Sequence, residues 1–405
     1  MSGPLADIKV LDLAWVVAGP MIGRSLADFG ATVVRVEHPK RVDTARAIGP
    51  YYGGGYDVQR SACYANGNAG KLGLALDLQN EDARDVVREL AAWADVVVES
   101  FAPGQVNRWG LDYDSLKAIN PKIIMVSTSL MGQAGPWKAL AGFGNIGAAM
   151  SGYQGLVGPE EGLPTGPFGP YTDYVAPRFG IPMVLAALDW RARSGEGCYI
   201  DLGQAETGMQ FLASAFADYG ATGRIAKAEG NRDAAMAPHG VYPALTKEGE
   251  DPRWIAVAAQ NDAAWTALAA EIGGAASDAR FATLAGRKAA EAELDEIVGA
   301  WTATRDPVAT AQALQGLGVA ASTVANAADL AEDPQLEHLG HWERVPHPQI
   351  GQATVEASRF ALSATPAHVA RPAPEYGRDQ EAVLTGILGY DAAKLDALKA
   401  AGAMP

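Results

Sequence analysis

Residues 1–130 alternate between short apolar runs and segments that carry apolar residues on one helical face. The short runs are typical of buried strands, and the one-sided segments are typical of helices packed on a sheet. We predict strands at residues 8–13, 32–37, 73–78, 96–99 and 123–128. Because parallel strands need long crossover connections, which are usually helices, this alternation predicts an α/β fold whose parallel sheet is covered on both faces.

The chain has 405 residues, which is more than a single hydrophobic core usually holds. We predict a Rossmann-like large domain that begins with residues 1–224, followed by a smaller α/β domain at 225–335. Residues 336–405 are predicted to return to the large domain. Between residues 135 and 172 the regular pattern gives way to an irregular stretch rich in Gly and Pro. Long irregular segments inside compact domains usually carry function.

The net charge of −15 disfavours nucleic acid and anionic membranes as partners. The longest apolar runs are shorter than a membrane span, and the N-terminus lacks the basic start of a secretory signal. Cys63 and Cys198 have no neighbour at metal-ligand spacing, and the six histidines form no cluster with carboxylates or cysteines. We therefore expect a cytoplasmic protein without a metal site.

The first strand, helix and second strand invite a dinucleotide-binding interpretation. Such sites use three glycines, so that the backbone can approach a pyrophosphate at the helix N-terminus. Only Gly19 and Gly23 fit that spacing, and the third glycine is missing. The pattern therefore favours a Rossmann-like fold that does not bind NAD.

Positive charge is concentrated after the second predicted strand, in a chain that is otherwise acidic. The basic residues there are Arg35, His38, Lys40, Arg41 and Arg46. A patch of this kind at a strand end suits the phosphates of a ligand such as coenzyme A, although an ordinary solvated loop also explains it. Two further basic residues, Lys71 and Arg108, lie next to predicted strands. Taken singly, each is explained more simply as a charge on the protein surface.

Asp173 follows a loop of small residues, GPFGPYT, and stands immediately before a predicted helix. The simplest interpretation is a helix N-cap. The same position also suits chemistry, because backbone N–H groups and the positive helix end would keep the carboxylate ionised and fixed. A fixed carboxylate can act as a covalent nucleophile. Spacing alone leaves both interpretations open.

Several sequence blocks, in their order and spacing, resemble the family III CoA-transferases. They are LDLAWVVAGPMIGRSLADFGATVVRVE, NGNAGKLGLALDL, ADVVVESFAPGQVNRWGLDYDSLKAINPKII and YTDYVAPRFGIPMVLAALDWRARSGEGCYIDLGQAE. The resemblance covers essentially the whole chain and is strongest in residues 5–215. It implies an interlocked homodimer that acts on a small-molecule acyl-CoA and a carboxylic acid. A heteromer with a paralogous subunit is the alternative assembly.

The resemblance also implies that Asp173 is the catalytic residue, because the family's aspartate precedes the helix that leads into an R-x-x-(T/S)-G-x-G block, here at 191–197. In that mechanism the aspartate attacks an acyl-CoA to form a mixed anhydride and then an aspartyl-CoA thioester. Coenzyme A is then a substrate, and no tightly bound cofactor is expected. The residues assigned to CoA binding are Val17, Ala18, His38, Lys40, Arg46, Lys71, Arg108 and Phe143.

Two departures from formyl-CoA transferase bear on the acids that react. Val17 stands where that enzyme has glutamine, and the segment AEGNRDAAMAPHGVYP stands where it has a glycine-rich lid. Both departures imply an acceptor that is larger and less polar than oxalate or formate. We expect a dicarboxylic or aryl-substituted acid, with succinyl-CoA as a donor.

Two other functions stay open at this stage. Acyl-CoA racemases of the same fold use a histidine and an aspartate on the α-carbon. Here Phe143 occupies the histidine position, and the racemase glutamate falls near Gly240, so the resemblance favours transfer. The other alternative is one subunit of a hetero-oligomeric CoA-transferase, whose site needs a second chain.

Overall fold

The computed structural model describes residues 3–405, and the chain forms two compact units. Unit one comprises Met1–Tyr153, Gly166–Ile225 and Gln335–Pro405, and unit two comprises Gln154–Thr165 and Ala226–Pro334. The domain boundaries expected from the sequence, before residue 225 and after residue 335, stay a prediction, because compactness does not establish that either unit folds alone.

Unit one is built around a parallel sheet. Its strands are β1 (Lys9–Asp12), β2 (Thr32–Glu37), β3 (Leu72–Ala75), β4 (Val96–Glu99), β5 (Ile124–Ser129) and β6 (Cys198–Gly203). They pair in the order β3-β2-β1-β4-β5-β6, and every pair is parallel. This is the order of a doubly wound Rossmann fold, so the predicted α/β class is confirmed. The order reverses between β1 and β4, where ligands bind at the carboxyl ends of the strands.

Both faces of the sheet are buried. Leu11 packs in one core cluster with Val34 and Val97, whereas its neighbour Val10 packs in a second cluster with Val33. Successive side chains of a strand point to opposite faces. A strand covered on both sides is therefore apolar at most positions, and the apolar stretches at residues 10–11, 33–34, 96–98 and 124–126 are the parts of the strands that the sequence makes visible.

Helices connect these strands and cover the sheet. Up to residue 225 they are α1 (Ala18–Asp28), α2 (Thr44–Ala47), α3 (Ala62–Asn68), α4 (Glu81–Trp93), α5 (Gln105–Arg108), α6 (Tyr113–Ile119), α7 (Gly144–Ser151), α8 (Tyr153–Leu156), α9 (Tyr171–Ser194), α10 (Gln204–Met209) and α11 (Ala213–Thr222). Helix α4 illustrates how such a helix begins, since the Asn80 side chain accepts a hydrogen bond from the N–H of Asp82 at 2.8 Å. This N-cap satisfies a donor that the first turn would otherwise leave unpaired.

Helix α7 lies in the stretch predicted to be irregular, so that prediction is wrong for these residues. Glycine disfavours helix in isolation, but here it permits close packing. A Cβ added to Gly147 would lie 2.1 Å from Thr172 Oγ1 in α9, and one added to Gly208 in α10 would lie 2.6 Å from Ser151 Oγ. The small residues let α7, α9 and α10 approach one another more closely than larger side chains would allow.

Unit two is the smaller α/β unit. Its antiparallel sheet has the order β7 (His239–Pro243), β8 (Trp254–Ala258) and β9 (Ala320–Thr323). The helices that accompany it are α12 (Asp262–Ile272), α13 (Leu284–Ala289), α14 (Glu291–Thr302), α15 (Pro307–Gly316) and α16 (Ala327–Ala331). Helix α17 (Pro334–His338) follows, and from Gln335 onward it belongs to unit one. Trp265 and Phe281 meet edge to face in its core, 5.9 Å between ring centroids. The sequence pattern missed β7, because its glycine and proline are depleted in strands.

The C-terminal segment completes unit one. It contains the hairpin β10 (Trp342–His347) and β11 (Gly351–Glu356), then α18 (Gln380–Leu384) and α19 (Ala392–Ala400). Leu384 and Leu398 are buried in the same core cluster as Leu11. The N–H of Asp77 donates to the carbonyl of Ala403 at 2.9 Å. The end of the chain is therefore part of the core beneath the main sheet.

None of the described helices combines the length and the apolarity of a membrane-crossing helix. No described group of three or more His, Cys, Asp and Glu residues is arranged to hold a metal ion. Cys63 and Cys198 are both free and partly buried.

Candidate active site

Asp173 is the third residue of α9, in unit one, and is only 4% exposed. The helix begins at Tyr171, before the aspartate and not after it as the sequence predicted. The N-cap position belongs to Pro170, which makes no side-chain capping bond. The N-cap interpretation of Asp173 is therefore wrong, and its carboxylate is free to serve another purpose.

The carboxylate of Asp173 accepts hydrogen bonds from the backbone N–H of Gly144 and from the side chain of Gln204. Burial is nevertheless the largest effect, and it raises the pKa of Asp173 to about 6. The sequence argument expected the opposite direction, because it counted the helix end and the donors but not desolvation. At pH 7 the ionised form still exceeds the protonated form by about tenfold.

Gly144 is the first residue of α7 and packs directly against the start of α9. A Cβ at this position would lie 2.5 Å from the carbonyl oxygen of Pro170 and 2.6 Å from the nitrogen of Asp173. The hydroxyl of Thr172 donates to the carbonyl of Gly144 at 3.1 Å and ties the two helices together. Any larger residue here would collide with the start of α9, so glycine is what allows this backbone N–H to reach the carboxylate of Asp173. Sequence reasoning missed Gly144, because several glycines surround it.

Two cavities of unit one meet at Asp173, one of about 600 Å³ and one of about 220 Å³. Val16, Val17 and Phe143 line both of them with Asp173, and Ala18 lines the smaller one. The structure therefore brings three of the predicted contact residues together around the aspartate. No described Lys, Arg or His lines either cavity. The larger volume is typical of sites for small molecules and cofactors.

The wall shared by the two cavities contains a strained residue that sequence reasoning missed. Val16 has a φ of 67°, a left-handed conformation that β-branched residues rarely adopt. Its N–H donates to the carboxylate of Asp43, 3.1 Å from Oδ1. Asp43 is itself held by Arg35 and by the N–H of Ala45. Strain of this kind costs about 1–3 kcal/mol and persists only where the surroundings enforce it, and residues of this kind cluster at functional sites.

Arg46, predicted to bind CoA, is buried and lines neither cavity. Its guanidinium forms a bidentate ion pair with Glu37, at 2.8 and 2.9 Å, and lies over the ring of Tyr64. The remaining N–H groups donate to Gln59 and to the carbonyls of residues 58 and 374. These contacts support a structural role for Arg46 and give no support to a role in CoA binding.

Lys71, the second predicted CoA contact in the core, is fully buried. Its ammonium donates to Asp12 Oδ2, to the carbonyl of Pro20 and to Asn68 Oδ1, each at 2.7 Å. Burial lowers the pKa of Lys71 to about 8, against the attraction of Asp12, so the side chain stays charged at neutral pH. With all three donors occupied, Lys71 has none left for a ligand in this structure.

The other predicted basic residues follow the carboxyl ends of β2 and β4. His38 Nε2 lies 3.1 Å from Asp77 Oδ1, Lys40 is exposed, and the exposed Arg108 donates to Gln105 at 2.8 Å. None of them lines the two cavities. They lie at the edge of the sheet where a doubly wound fold binds ligands, and their role in CoA binding stays a prediction.

The chain matches the sequence model of CoA-transferase family III over residues 5–380. It is 33% identical to succinyl-CoA–D-citramalate CoA-transferase of Chloroflexus aurantiacus, over 98% of this chain and 97% of that protein. It is 32% identical to succinate–glutarate CoA-transferase of Agrobacterium fabrum, over 94% and 95%. The crystal structure of a CaiB/BaiF family protein from Brucella suis superposes with a TM-score of 0.86, at 29% identity, over 95% of this chain and 100% of that one.

Proposed function

Because this chain belongs to CoA-transferase family III and is a CoA-transferase, we propose that it moves coenzyme A from succinyl-CoA to a second dicarboxylic acid. In this proposal Asp173 is the nucleophile. The names of the two relatives support dicarboxylic acids on both sides, because they contain succinyl-CoA with D-citramalate and succinate with glutarate. The aryl-substituted acceptor expected from the sequence stays a prediction.

The observation that carries this proposal is a buried carboxylate where two cavities meet. Asp173 is held by the Gly144 N–H and the Gln204 side chain, and both cavities give access to it. A racemase would need a second acid–base group facing the α-carbon of the substrate. Phe143, at the position where a racemase has histidine, cannot exchange a proton, so the site is better suited to nucleophilic transfer.

The first half of the reaction transfers CoA to the enzyme. One oxygen of Asp173 attacks the carbonyl carbon of succinyl-CoA, a C–O bond forms, and the C–S bond breaks to release the CoA thiolate. The product is a mixed anhydride between Asp173 and succinate. The thiolate then attacks the aspartyl carbonyl of the anhydride, which forms aspartyl-CoA and releases succinate as a carboxylate.

The second half runs the same steps in reverse with the new acid. The acceptor carboxylate attacks the aspartyl carbonyl of aspartyl-CoA and displaces the thiolate, which gives a second mixed anhydride. The thiolate attacks the acceptor's acyl carbon, and the new acyl-CoA leaves with Asp173 restored as a carboxylate. Water is not a reactant in either half, and the burial of Asp173, which is 4% exposed, limits hydrolysis of the anhydride.

The donors that hold the resting carboxylate also serve the covalent intermediates. Whenever the aspartyl carbonyl is attacked, negative charge develops on its oxygen. The Gly144 N–H and the Gln204 side chain already point at this carboxyl group. Preorganised donors at a developing oxyanion lower the barrier without reorganisation.

The rate of donor attack should fall in acid. Burial raises the pKa of Asp173 from 3.8 to about 6, and only the ionised form is nucleophilic. We expect kcat/KM for succinyl-CoA to be level above about pH 7 and to fall about tenfold per pH unit below pH 6. Steady-state rates between pH 4.5 and 8.5 measure this, with protein fluorescence to verify folding. A level profile down to pH 5 would contradict the assignment.

The function itself is tested with the purified full chain, succinyl-CoA and a panel of acids. The panel contains straight-chain, branched and aryl-substituted mono- and dicarboxylic acids, and mass spectrometry scores new CoA esters. We expect CoA esters of dicarboxylic acids, formed without net loss of thioester. Hydrolysis to free CoA alone would overturn the proposal. Activity of the chain by itself would also exclude an obligatory second subunit.

A further inference from the structure

The larger cavity at Asp173 adjoins a second compartment of unit one, whose volume is about 440 Å³. Met21, Asn66 and Glu356 line both spaces, so the two meet at these residues. The two cavities that meet at Asp173 have no described Lys, Arg or His in their walls. A dicarboxylic acid bound at Asp173 therefore needs a cation from elsewhere for its second carboxylate. The second compartment contains the candidates, since the charged residues that line it are Arg24, Asp28, Arg178, Glu356 and Arg359.

Four of these five charged side chains are already paired with one another. Arg24 donates to Asp28 at 2.6 Å, and Arg359 forms an ion pair with Glu356. Arg178, in contrast, forms no hydrogen bond or ion pair with any described residue. The second compartment therefore presents one unpaired positive charge, in a chain whose net charge is −15. An anionic ligand would supply the missing partner.

Helix α9 carries both the nucleophile and this unpaired cation. Tyr174 lines the larger cavity beside Asp173, and Arg178 follows Tyr174 by four residues. Residues four apart lie on the same face of a helix, and helical side chains lean toward the N-terminus. The side chain of Arg178 is therefore inclined toward the turn that bears Asp173. About 7.5 Å along the helix axis separates these two residues, a distance that glutarate and an arginine side chain together can cover.

Two anions of the reaction could be the ligand of Arg178, a phosphate of coenzyme A or the second carboxylate of an acid. The smaller cavity at Asp173 is lined by residues that follow β1, β4 and β5, including Ala18 and Pro103. A doubly wound fold binds nucleotides at such strand ends, so the phosphates of coenzyme A are better placed there. The walls of the second compartment include apolar side chains such as Leu185 and Phe360, which suit the carbon chain of an acid. These placements favour the carboxylate.

We propose that Arg178 determines the preference for dicarboxylic acids, because its guanidinium binds the second carboxylate while the first carboxyl group reacts at Asp173. This proposal rests on the proposed function, since it names the residue that recognises the substrates of the same site. Burial and the neighbouring Arg359 lower the pKa of Arg178, and a bound carboxylate would offset both effects. Arg178 makes no bond in the reaction, so its contribution is confined to acids that carry a second carboxylate.

The test is a competition between glutarate and pentanoate, which has a methyl group in place of the second carboxylate. Both acids react with the same aspartyl-CoA, so the ratio of glutaryl-CoA to pentanoyl-CoA does not depend on the step that consumes succinyl-CoA. We expect the wild type to favour glutaryl-CoA at least tenfold, about the value of one charge-assisted hydrogen bond. In Arg178→Met the ratio should fall to about one or below, and Arg178→Lys should keep part of the preference. Mass spectrometry of the initial products at equal acid concentrations measures the ratio.

Arg193→Met is the matched control, because Arg193 lies on the same helix in an exposed ion pair with Asp189, and its ratio should equal that of the wild type. Arg178→Gln carries the test if Arg178→Met does not fold. A wild type without preference, or Arg178 variants that keep the wild-type ratio, would overturn the inference, and a raised KM for succinyl-CoA at an unchanged ratio would assign Arg178 to a phosphate instead. Absence of transfer to every acid would refute the proposed function. In that case calorimetry decides the inference, since equal affinities for glutarate and pentanoate would also overturn it.

Discussion

Replacing Asp173 with asparagine is expected to lower the rate of CoA transfer on the order of 10⁴-fold or more, the loss typical of removing a covalent nucleophile. Asparagine keeps the size of the side chain but cannot form the anhydride. The two donors, Gly144 and Gln204, would lose a charged acceptor, so a change in stability is expected as well. Transfer is measured by mass spectrometry of CoA esters, and CoA binding by calorimetry, which should change little.

Three further measurements make this expectation decisive. Asp173→Ala excludes slow deamidation of the asparagine as a source of residual rate. Asp189→Asn is the matched control, because Asp189 lies on the same helix in an exposed ion pair with Arg193, and it should keep the wild-type rate. Borohydride or hydroxylamine added with succinyl-CoA should modify the peptide that contains Asp173 in the wild type only. An alanine variant that keeps more than about a tenth of the rate would refute the covalent route.

Replacing Lys71 with methionine is expected to lower the free energy of unfolding by about 3–5 kcal/mol, the usual loss when one partner of a buried ion pair is removed. Methionine retains the length of the side chain but removes the ammonium. Asp12 would keep Arg35 at 3.5 Å and the N–H of Ala14 at 3.0 Å, but it would lose its closest cation. Asn68 would lose the donor to its Oδ1. The midpoint of urea unfolding measures the change.

The same variant also distinguishes a structural role from a ligand-binding role for Lys71. At a temperature where the variant is folded, we expect its KM for succinyl-CoA to stay within about twofold of the wild type. Lys122→Met is the control for the substitution itself, because Lys122 is exposed, and it should change stability by no more than about 0.5 kcal/mol. A rise in KM of tenfold or more in Lys71→Met would restore the phosphate contact expected from the sequence.

The main sheet could be predicted because its strands are buried on both faces. In β4 all four residues are buried, and three of them are valines, so the apolar run at 96–98 predicts the strand without knowledge of its neighbours. The segment before α9 could not be predicted in the same way. Helix α7 contains two glycines and two alanines among its eight residues, and it forms because Gly147 fits against Thr172. Such packing leaves no periodic signal.

The basic residues show where charge in a sequence is ambiguous. Arg46 was expected to bind CoA because it lies in a segment rich in basic residues, and Lys71 was assigned to CoA binding through the family resemblance. A sequence does not distinguish a cation that faces solvent from one that pairs with Glu37 or Asp12 in the core. In a chain with a net charge of −15, buried carboxylates need such partners as much as ligands do.

Asp173 could be proposed as the nucleophile from the order of the sequence blocks, but its surroundings could not be predicted. Gly144 and Gln204 start two different helices, and they meet Asp173 only because α7, α9 and α10 pack together. The direction of the pKa change was also outside the reach of the sequence, since it depends on how deeply the carboxylate is buried.

Attempts to engineer a heat-resistant form of this protein will find an attractive target in Val16. Glycine tolerates a positive φ and would relieve the local strain. Glycine would keep the backbone N–H that donates to Asp43, but it would give the segment between the two cavities more conformational freedom. Selection for melting temperature alone would therefore tend to raise thermal stability at the cost of catalytic rate at this position. A useful screen has to measure both the melting temperature and the rate of CoA transfer.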